Sequence, residues 1–319
     1  MRGSMNESRP DRTPLVPPGG IDHQFADMTA TFAADVTLKA AQSVLGERDH
    51  WLPVDGDEDL PLGRLVEHNS TGPLRLGYGA WRDLLLGVQF QDGRGQLVTA
   101  GGSTVKNVAG YDLTKFMVGQ GGVFGRIVTM TTRTYRRPAA ALLARFPARQ
   151  AIINALLPTD HRPQWALLAK DALHCGYLGD ERFAAFQEVG LRKVGALHVE
   201  RRTLRDDVEH RAGLWCCYNE PACRASVPPN RIEEFVSLAK LGDWVADPAF
   251  GIVLSSPTSA GSTDDVRRAA ERVGGTLTVT YPRQSRFELS TSDVERRMIE
   301  RLKHAFDPEN RLTPLPWRS

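Results

Sequence analysis

Two glycine-dense stretches limit what this chain can fold into more than any other feature. One is Asn69-Ser70-Thr71-Gly72-Pro73-Leu74-Arg75. The other runs from Gly102 to Gly125 and ends in Gly119-Gln120-Gly121-Gly122-Val123-Phe124-Gly125. Without a Cβ, the backbone there can come close to something else. In the plain case that something is the rest of the chain, and the stretches are turns. In the other case it is a ligand, with backbone N–H groups meeting pyrophosphate oxygens near a helix N-terminus. Asn69, Ser70 and Thr71 would then add hydrogen-bond donors, and Arg75 or Lys106 positive charge. The spacing does not follow G-x-G-x-x-G after a strand, which argues against an ordinary Rossmann nicotinamide site.

The flanking segments predict an α+β unit. Thr29 to Ala33 reads as a strand. Leu38, Ala41, Val44 and Leu45 recur at helical spacing behind a possible Thr37 cap. Leu52 to Val54 is extended, and Leu62 to Glu67 is a short helix or turn. Leu84 to Gln91, the tight turn Asp92-Gly93-Arg94-Gly95, and Gln96 to Ala100 form the strongest hairpin signal. Asp112 to Val118 reads as a helix, and Arg126 to Arg136 as a strand stopped by Pro138. Beyond Pro138, strands are expected at 139–146, 165–169, 252–255 and 276–281. Helices are expected at 180–189, 231–238, 264–273 and 293–305. That order predicts an antiparallel sheet with helices on one face.

Bulk properties exclude several classes. A formal net charge of +2 gives no push toward nucleic acid. No apolar run approaches the roughly 18 residues of a membrane span, and residues 1–20 lack the apolar core of a signal peptide. A cytoplasmic location follows as the expectation, with any membrane association made through partners. Residues 1–23, rich in proline, read as a disordered leader. Cys175, Cys216, Cys217 and Cys223 show no C-x-x-C and read as free thiols, not as zinc or iron–sulfur ligands. The eight histidines show no H-x-x-x-H or H-E-x-x-H, so no metal site is expected. Arg82-Asp83 reads as a structural ion pair or turn, Asp112 as a helix cap, and Tyr111 and Phe116 as core residues.

The ordered run Asn69-Ser70-Thr71-Gly72-Pro73-Leu74-Arg75-x-x-Tyr78-Gly79-x-x-Arg82-Asp83-x-x-x-Gly87-Val88 resembles a known flavin domain. That domain belongs to the FAD-binding subunits of glycolate oxidase, of the vanillyl-alcohol-oxidase or PCMH type. The resemblance continues in Gly101-Gly102-x-x-Val105-Lys106-Asn107-Val108-Ala109-Gly110-Tyr111-Asp112-Leu113-x-Lys115 and in Gly119-x-x-Gly122-x-x-Gly125-x-Ile127. Leu302-Lys303-x-x-Phe306-Asp307-Pro308 looks like the family's closing segment. Arg311-Leu312-Thr313-Pro314 then stands where the family commonly has Leu-Asn-Pro-Gly.

The resemblance implies an FAD-binding PCMH-type domain over 24–138 and an antiparallel-sheet cap domain over 139–300. A segment over 301–319 would return to the flavin domain. It implies cofactor contacts from Asn69, Ser70, Thr71, Gly72, Pro73, Leu74, Lys106, Gly119, Gly122, Gly125 and Ile127, and it assigns no catalytic residue. Two departures weaken the cradle. Pro17-Pro18-Gly19-Gly20 stands where a pyrophosphate loop belongs, so the first flavin subdomain is abbreviated. At Leu62-Gly63-Arg64-Leu65, Arg64 replaces the second glycine of a family pair. FAD is therefore expected to be weakly held or lost. One implied function is an FAD-binding subunit of a complex oxidising glycolate or another 2-hydroxy acid, partnered by a full-length flavin subunit and an iron–sulfur subunit. The other is a non-catalytic assembly subunit that keeps the fold without FAD. A nucleotide-binding module of another kind explains the glycine loops but not the whole ordered match.

Overall fold

The computed structural model describes residues 14–102, 113–215, 222–256, 262–281, 286–287 and 293–315. The first unit opens with β1 (Ile21–Gln24) and β2 (Thr29–Ala33). Helix α1 (Leu38–Gly46) follows, capped by Thr37, whose Oγ1 accepts from Ala40 N at 3.2 Å. It buries Leu38, Ala41 and Leu45, the positions that helical spacing puts on one face. Next come β3 (His50–Trp51), α2 (Leu62–Glu67), α3 (Arg75–Tyr78) and α4 (Trp81–Leu84). The hairpin of β4 (Leu85–Gln91) and β5 (Leu97–Gly101) turns where the sequence predicts. There Asp92 Oδ1 accepts from Arg94 N and Gln96 N, and Gly95 takes φ +79°. After α5 (Leu113–Phe116), β6 (Arg126–Arg133) and β7 (Tyr135–Arg136) complete the unit.

The sheet order is β1-β2-β6-β4-β5 with every pairing antiparallel, and β3 pairs separately with β7. Phe32, Leu45, Leu65, Trp81, Phe90 and Met130 are buried beneath it. Three expectations need correction. Residues 14–23, read as part of a disordered leader, pack instead: β1 pairs with β2, Val16 is buried, and Leu15 N donates to Gln89 Oε1 at 2.8 Å. The strand expected over 126–136 breaks at Thr134, whose N–H goes to Met28 O at 2.8 Å. Asp83 is no ion-pair partner in the described structure; it accepts from Ala80 N at 2.9 Å and caps α4.

The second unit runs β8 (Ala140–Phe146), α6 (Gln150–Leu156), β9 (Trp165–Ala169), β10 (Leu173–Gly179), α7 (Glu181–Lys193), β11 (His198–Arg202) and α8 (Leu204–Trp215). It continues β12 (Ala222–Ser226), α9 (Ile232–Ala239), β13 (Trp244–Asp247), β14 (Ile252–Ser255), α10 (Thr263–Arg272), β15 (Thr276–Tyr281), β16 (Arg286–Phe287) and α11 (Asp293–Phe306). These strands form one nine-stranded antiparallel sheet, β11-β8-β10-β9-β13-β14-β12-β15-β16. Strand alternation sends Leu142, Ala144 and Phe146 to a face covered by α6, α7, α9 and α10. Ala141, Leu143, Trp165 and Val245 face the other way, onto Trp51 and Leu74 of the first unit and onto α8. The fold is α+β. Its one-sided helical cover holds except for α8, which sits on the opposite face at the junction of the two units. Helix α11 ends against the first sheet, where Gly93 N donates to Phe306 O at 2.9 Å and Phe306 stacks on Phe116.

Candidate functional site

The glycine-dense stretches lie side by side and form one wall with two different ends. At the first end, Gly122 and Ile127 line an open cavity of about 360 Å3, with Arg64, Glu67, Arg126 and Thr313. The loop is fixed from three directions. Val66 O and Glu67 O, at the end of α2, accept from Gly119 N at 2.9 Å and Gly121 N at 2.8 Å. The Gln120 side chain bridges the loop internally, accepting from Phe124 N at 2.9 Å and donating to Gly125 O at 3.0 Å. The buried Lys303 ammonium donates to Val123 O at 3.0 Å, Thr313 O at 2.9 Å and Asp307 Oδ2 at 2.6 Å. Gly122 has φ +77°, and a Cβ there would lie 2.7 Å from Thr313 Oγ1. Glu67 accepts from Ile127 N at 3.3 Å, and its burial raises its pKa above the ordinary carboxylate range. Arg64 and Arg126 are exposed at the mouth of the cavity.

At the other end the wall is shut. Gly72, Pro73 and Leu74 are buried, and a Cβ on Gly72 would fall on Asp55. The Asp55 carboxylate spans the two units. Its Oδ2 accepts from Leu74 N at 2.8 Å, and its Oδ1 from Arg211 Nε of α8 at 2.6 Å. Arg211 also pairs with Asp207, one helical turn back, which accepts from Trp165 Nε1 at 2.9 Å. Burial raises the Asp207 carboxyl against the pull of Arg211. The void left beside Ser70, Thr71 and Gly72 is about 10 Å3, room for about one water. Ser70 itself is held by its N–H to Leu65 O at 2.8 Å and by its carbonyl, which accepts from Trp81 Nε1 at 2.9 Å.

The expected contact residues therefore do not share one cavity. Gly122 and Ile127 reach the open end, and Ser70, Thr71 and Gly72 border only the small void. Pro73 and Leu74 are buried in the protein. Asn69 joins the ends, its Cβ 3.2 Å from where a Cβ on Gly119 would stand. Gly125 serves packing, since a Cβ there would meet the Phe90 ring at 2.5 Å. Lys106 lies outside the described residues, as do Tyr111, Asp112, Cys216 and Cys217. Cys175 and Cys223 are buried free thiols. Sequence reasoning missed Asp55, Asp207 and Arg211, which converge only through the fold. Lys303 and Asp307 fell inside the closing segment, but nothing in the spacing marked them as the loop's anchor. Among the described residues no three side chains gather as a metal site, and no helix is long and apolar enough to cross a membrane.

No family model matches the chain. Glycolate oxidase subunit GlcE of Escherichia coli is 36% identical over 110 residues, 34% of this chain and 31% of that protein. A probable mitochondrial D-lactate dehydrogenase of Danio rerio is 29% identical over 140 residues, covering 42% of this chain and 28% of the relative. The chain thus spans only about a third of the length of these curated relatives. In three dimensions it is similar to an alkyldihydroxyacetonephosphate synthase, with a TM-score of 0.63 at 12% identity. That similarity covers 92% of this chain and 65% of the synthase. The chain has the PCMH-type FAD-binding fold and is glycolate-oxidase-like in sequence. FAD is the cofactor this likeness implies. The PCMH-type wall fits it at the open end, where a volume within the usual ligand range meets two exposed arginines and a glycine backbone. Beside Gly72, where Asp55 is seated, there is no room for it, while Asp55 and Arg211 also line a cavity of about 660 Å3 that Gly72 does not border.

Proposed function

We infer that this chain is an FAD-binding subunit of an assembly that oxidises glycolate or a related 2-hydroxy acid. The observation that carries the reading is the open cavity, where Gly122 and Ile127, two of the residues matched to the flavin family, meet the cationic rim of Arg64 and Arg126. Arg64 and Arg126 would hold the phosphates of FAD, with the Gly122 backbone and Ile127 against them. When bound, FAD supplies the two-electron acceptor for the hydroxyl-bearing carbon. The chain's own contribution is positional: Lys303 and Gln120 fix the loop, and Glu67 orients Ile127. The flavin unit is taken as 24–138, the cap as 139–300 and the returning segment as 301–319.

Two of the similar proteins are named as glycolate oxidase subunits, which supports assembly with other chains. We assign a full-length flavin subunit and an iron–sulfur subunit as the partners. One observation favours a second reading, an assembly subunit without FAD: Asp55 and Arg211 fill the Gly72 end of the wall. Flavin absorbance and extractable FAD per protein, measured on the chain alone and in its complex, separate the two. Retained flavin that falls when Arg64 and Arg126 are both replaced by Ala supports the first reading. A colourless chain in an active complex supports the second.

A further inference from the structure

The cavity of about 660 Å3 lies between α1 and β3 of the first unit and α8 of the second, and it borders neither Gly72 nor Gly122. One face of α8 carries the buried Asp207 and Arg211. Beside it, Leu204, Val208, Ala212 and Trp215 fall at i, i+4, i+8 and i+11 and form one apolar stripe along the helix. All four line the cavity, and none of them is fully buried. The first unit supplies Trp51 and Val54 as the other wall. A volume of this size at a junction of two units, with mostly apolar walls and few polar groups, has the form of a small-molecule site. An indole on each wall suits a flat ring system, which stacks on or packs edge-on to such faces. An apolar ligand would also take from water the stripe of α8 that the first unit leaves uncovered.

The charges around the cavity are balanced except at one end. Asp55 is engaged by Leu74 N and Arg211, and Glu209 pairs with Arg205 at 2.8 Å. At the N-terminal end of α1, Lys39 and Glu58 stand on segments joined by Lys39 N donating to Glu58 O at 2.9 Å, one cation beside one anion. At the C-terminal end, Arg137 lines the cavity directly after β7, its Nη1 3.6 Å from where a Cβ on Gly46 would stand. It has no ion pair among the described residues. Trp51 lies at the same end, since β3 pairs it with Tyr135 of β7. Trp51 is buried, and its Nε1 has no hydrogen-bond partner among the described residues. A buried donor without an acceptor costs free energy. A guanidinium offers a flat fork that matches a carboxylate with two parallel hydrogen bonds.

We propose that the cavity between α1 and α8 binds a flat aromatic acid, with its rings between Trp51 and the Val208–Trp215 stripe and its carboxylate at Arg137. The apolar walls set the body of the ligand, and the one unbalanced cation sets the position of its charge. Held there, the ligand touches both units and adds to the Asp55–Arg211 clamp. The site does not depend on the FAD reading, because neither Arg64 nor Arg126 borders it.

The test is thermal unfolding of the full chain titrated with 2-naphthoate, its neutral amide 2-naphthamide and the aliphatic acid octanoate, with amide exchange read on α8. Naphthoate should raise Tm with concentration and slow exchange in α8. The amide and octanoate should each bind about ten-fold more weakly or not at all. Arg137→Gln should weaken naphthoate about ten-fold and leave the amide unchanged. It should keep the unliganded Tm, since no ion pair is lost. Ala212→Trp, at an exposed position of α8, fills the cavity and should abolish the naphthoate response. If that variant does not fold, Arg137→Gln carries the comparison, and unchanged naphthoate affinity in it overturns the proposal. No response to naphthoate overturns it as well, and so does binding of the amide or of octanoate as tight as that of naphthoate. A naphthoate response that survives Ala212→Trp, or that is lost when Arg64 and Arg126 are both replaced by Ala, would put the ligand in the cavity beside Gly122 or elsewhere and sink this site. The FAD reading stands or falls separately, on the flavin content of the same samples.

Discussion

At Gly72 and at Gly122 the same wall of the first unit does opposite things. Both glycines leave out a Cβ because an oxygen-bearing side chain of the same protein stands close by, Asp55 in one case and Thr313 in the other. At Gly122 the neighbour covers one side only, and about 360 Å3 stays open beside it. At Gly72 the neighbour is itself gripped by Arg211 of the second unit, and only about 10 Å3 stays open beside the glycine; the cavity of about 660 Å3 that Asp55 and Arg211 also line does not reach Gly72. A glycine motif thus encodes a close approach but not what approaches. At the closed end that choice belongs to a helix more than a hundred positions further along the chain.

The strongest way to break the contrast is to remove the grip. Arg211→Ala leaves Asp55 and Asp207 without their shared cation, and Asp207 is almost wholly buried. Removing one member of a buried ionic cluster costs about 3–5 kcal/mol. The expected result in guanidinium denaturation is a loss of that size with an unchanged m-value. A loss below about 1 kcal/mol would mean that the junction is wet and that the closed end is not held by charge.

Lys303→Met tests the open end in the same way. It removes three hydrogen bonds from one ammonium and leaves Asp307 unpaired, though Asp307 still accepts from Arg311 N and Leu312 N. We expect a loss of about 2–3 kcal/mol, the range for hydrogen bonds to charged groups. Faster amide exchange should be confined to Gly121 to Phe124, with the Gly72 end unaffected. Exchange that rises equally at both ends would show that the wall behaves as one unit.

The two ends also differ in how far the sequence foretold them. Elements with strong local signals came out where periodicity and turn chemistry put them: α1 with its Thr37 cap, the hairpin around Gly95, and α10 behind Ser262. Strands such as β10 (Leu173–Gly179) and β13 went unread, because a strand buried on both faces shows no alternation. Residues 14–23 were misread for a different reason. Proline and polar residues there suggested disorder, while the pairing that orders them comes from β2 and from Gln89. In the site, the glycine loops were visible in the sequence. Asp55 and Arg211 were not, since a single Asp in an extended segment and a single Arg on a charged helix carry no local mark.

A double-mutant cycle sharpens the comparison at a smaller scale. Gly72→Ala should push Asp55 off Leu74 N, and Asp55→Ala should relieve that clash. The coupling between the two is therefore expected to be favourable, within the roughly 0.5–3 kcal/mol seen for contacting residues. Gly122→Ala is different, because its φ of +77° is strained for any side chain whatever Thr313 does. Its cost, about 1–2 kcal/mol from the backbone alone, should survive Thr313→Ala. Relief of Gly122→Ala by the Thr313 change, or none of Gly72→Ala by the Asp55 change, would reverse the assignment of cause.

Acid should loosen the closed end through the residue beside Arg211. His210, on α8, lies with its Nε2 3.2 Å from Nδ1 of the buried His174. Burial first, then the charges of Arg202 and His174, lower the His210 pKa to about 4 from 6.5. A depressed histidine favours the folded state above its unfolded pKa, and that contribution is lost as pH falls through the folded value. The window is therefore pH 6.5 down to about 4. Because the imidazole is only half-buried, solvent screening trims the effect to about 1 kcal/mol. Asp247, raised to about 6 chiefly by burial, works in the opposite sense, gaining stability as pH falls through about 6. The observable is therefore a difference: wild-type stability minus that of His210→Gln should be constant above pH 7 and fall by about 1 kcal/mol by pH 4. Amide exchange over the same range should rise first in α8 and around Leu74, before Gly121 to Phe124. A difference that does not change with pH would detach His210 from the clamp.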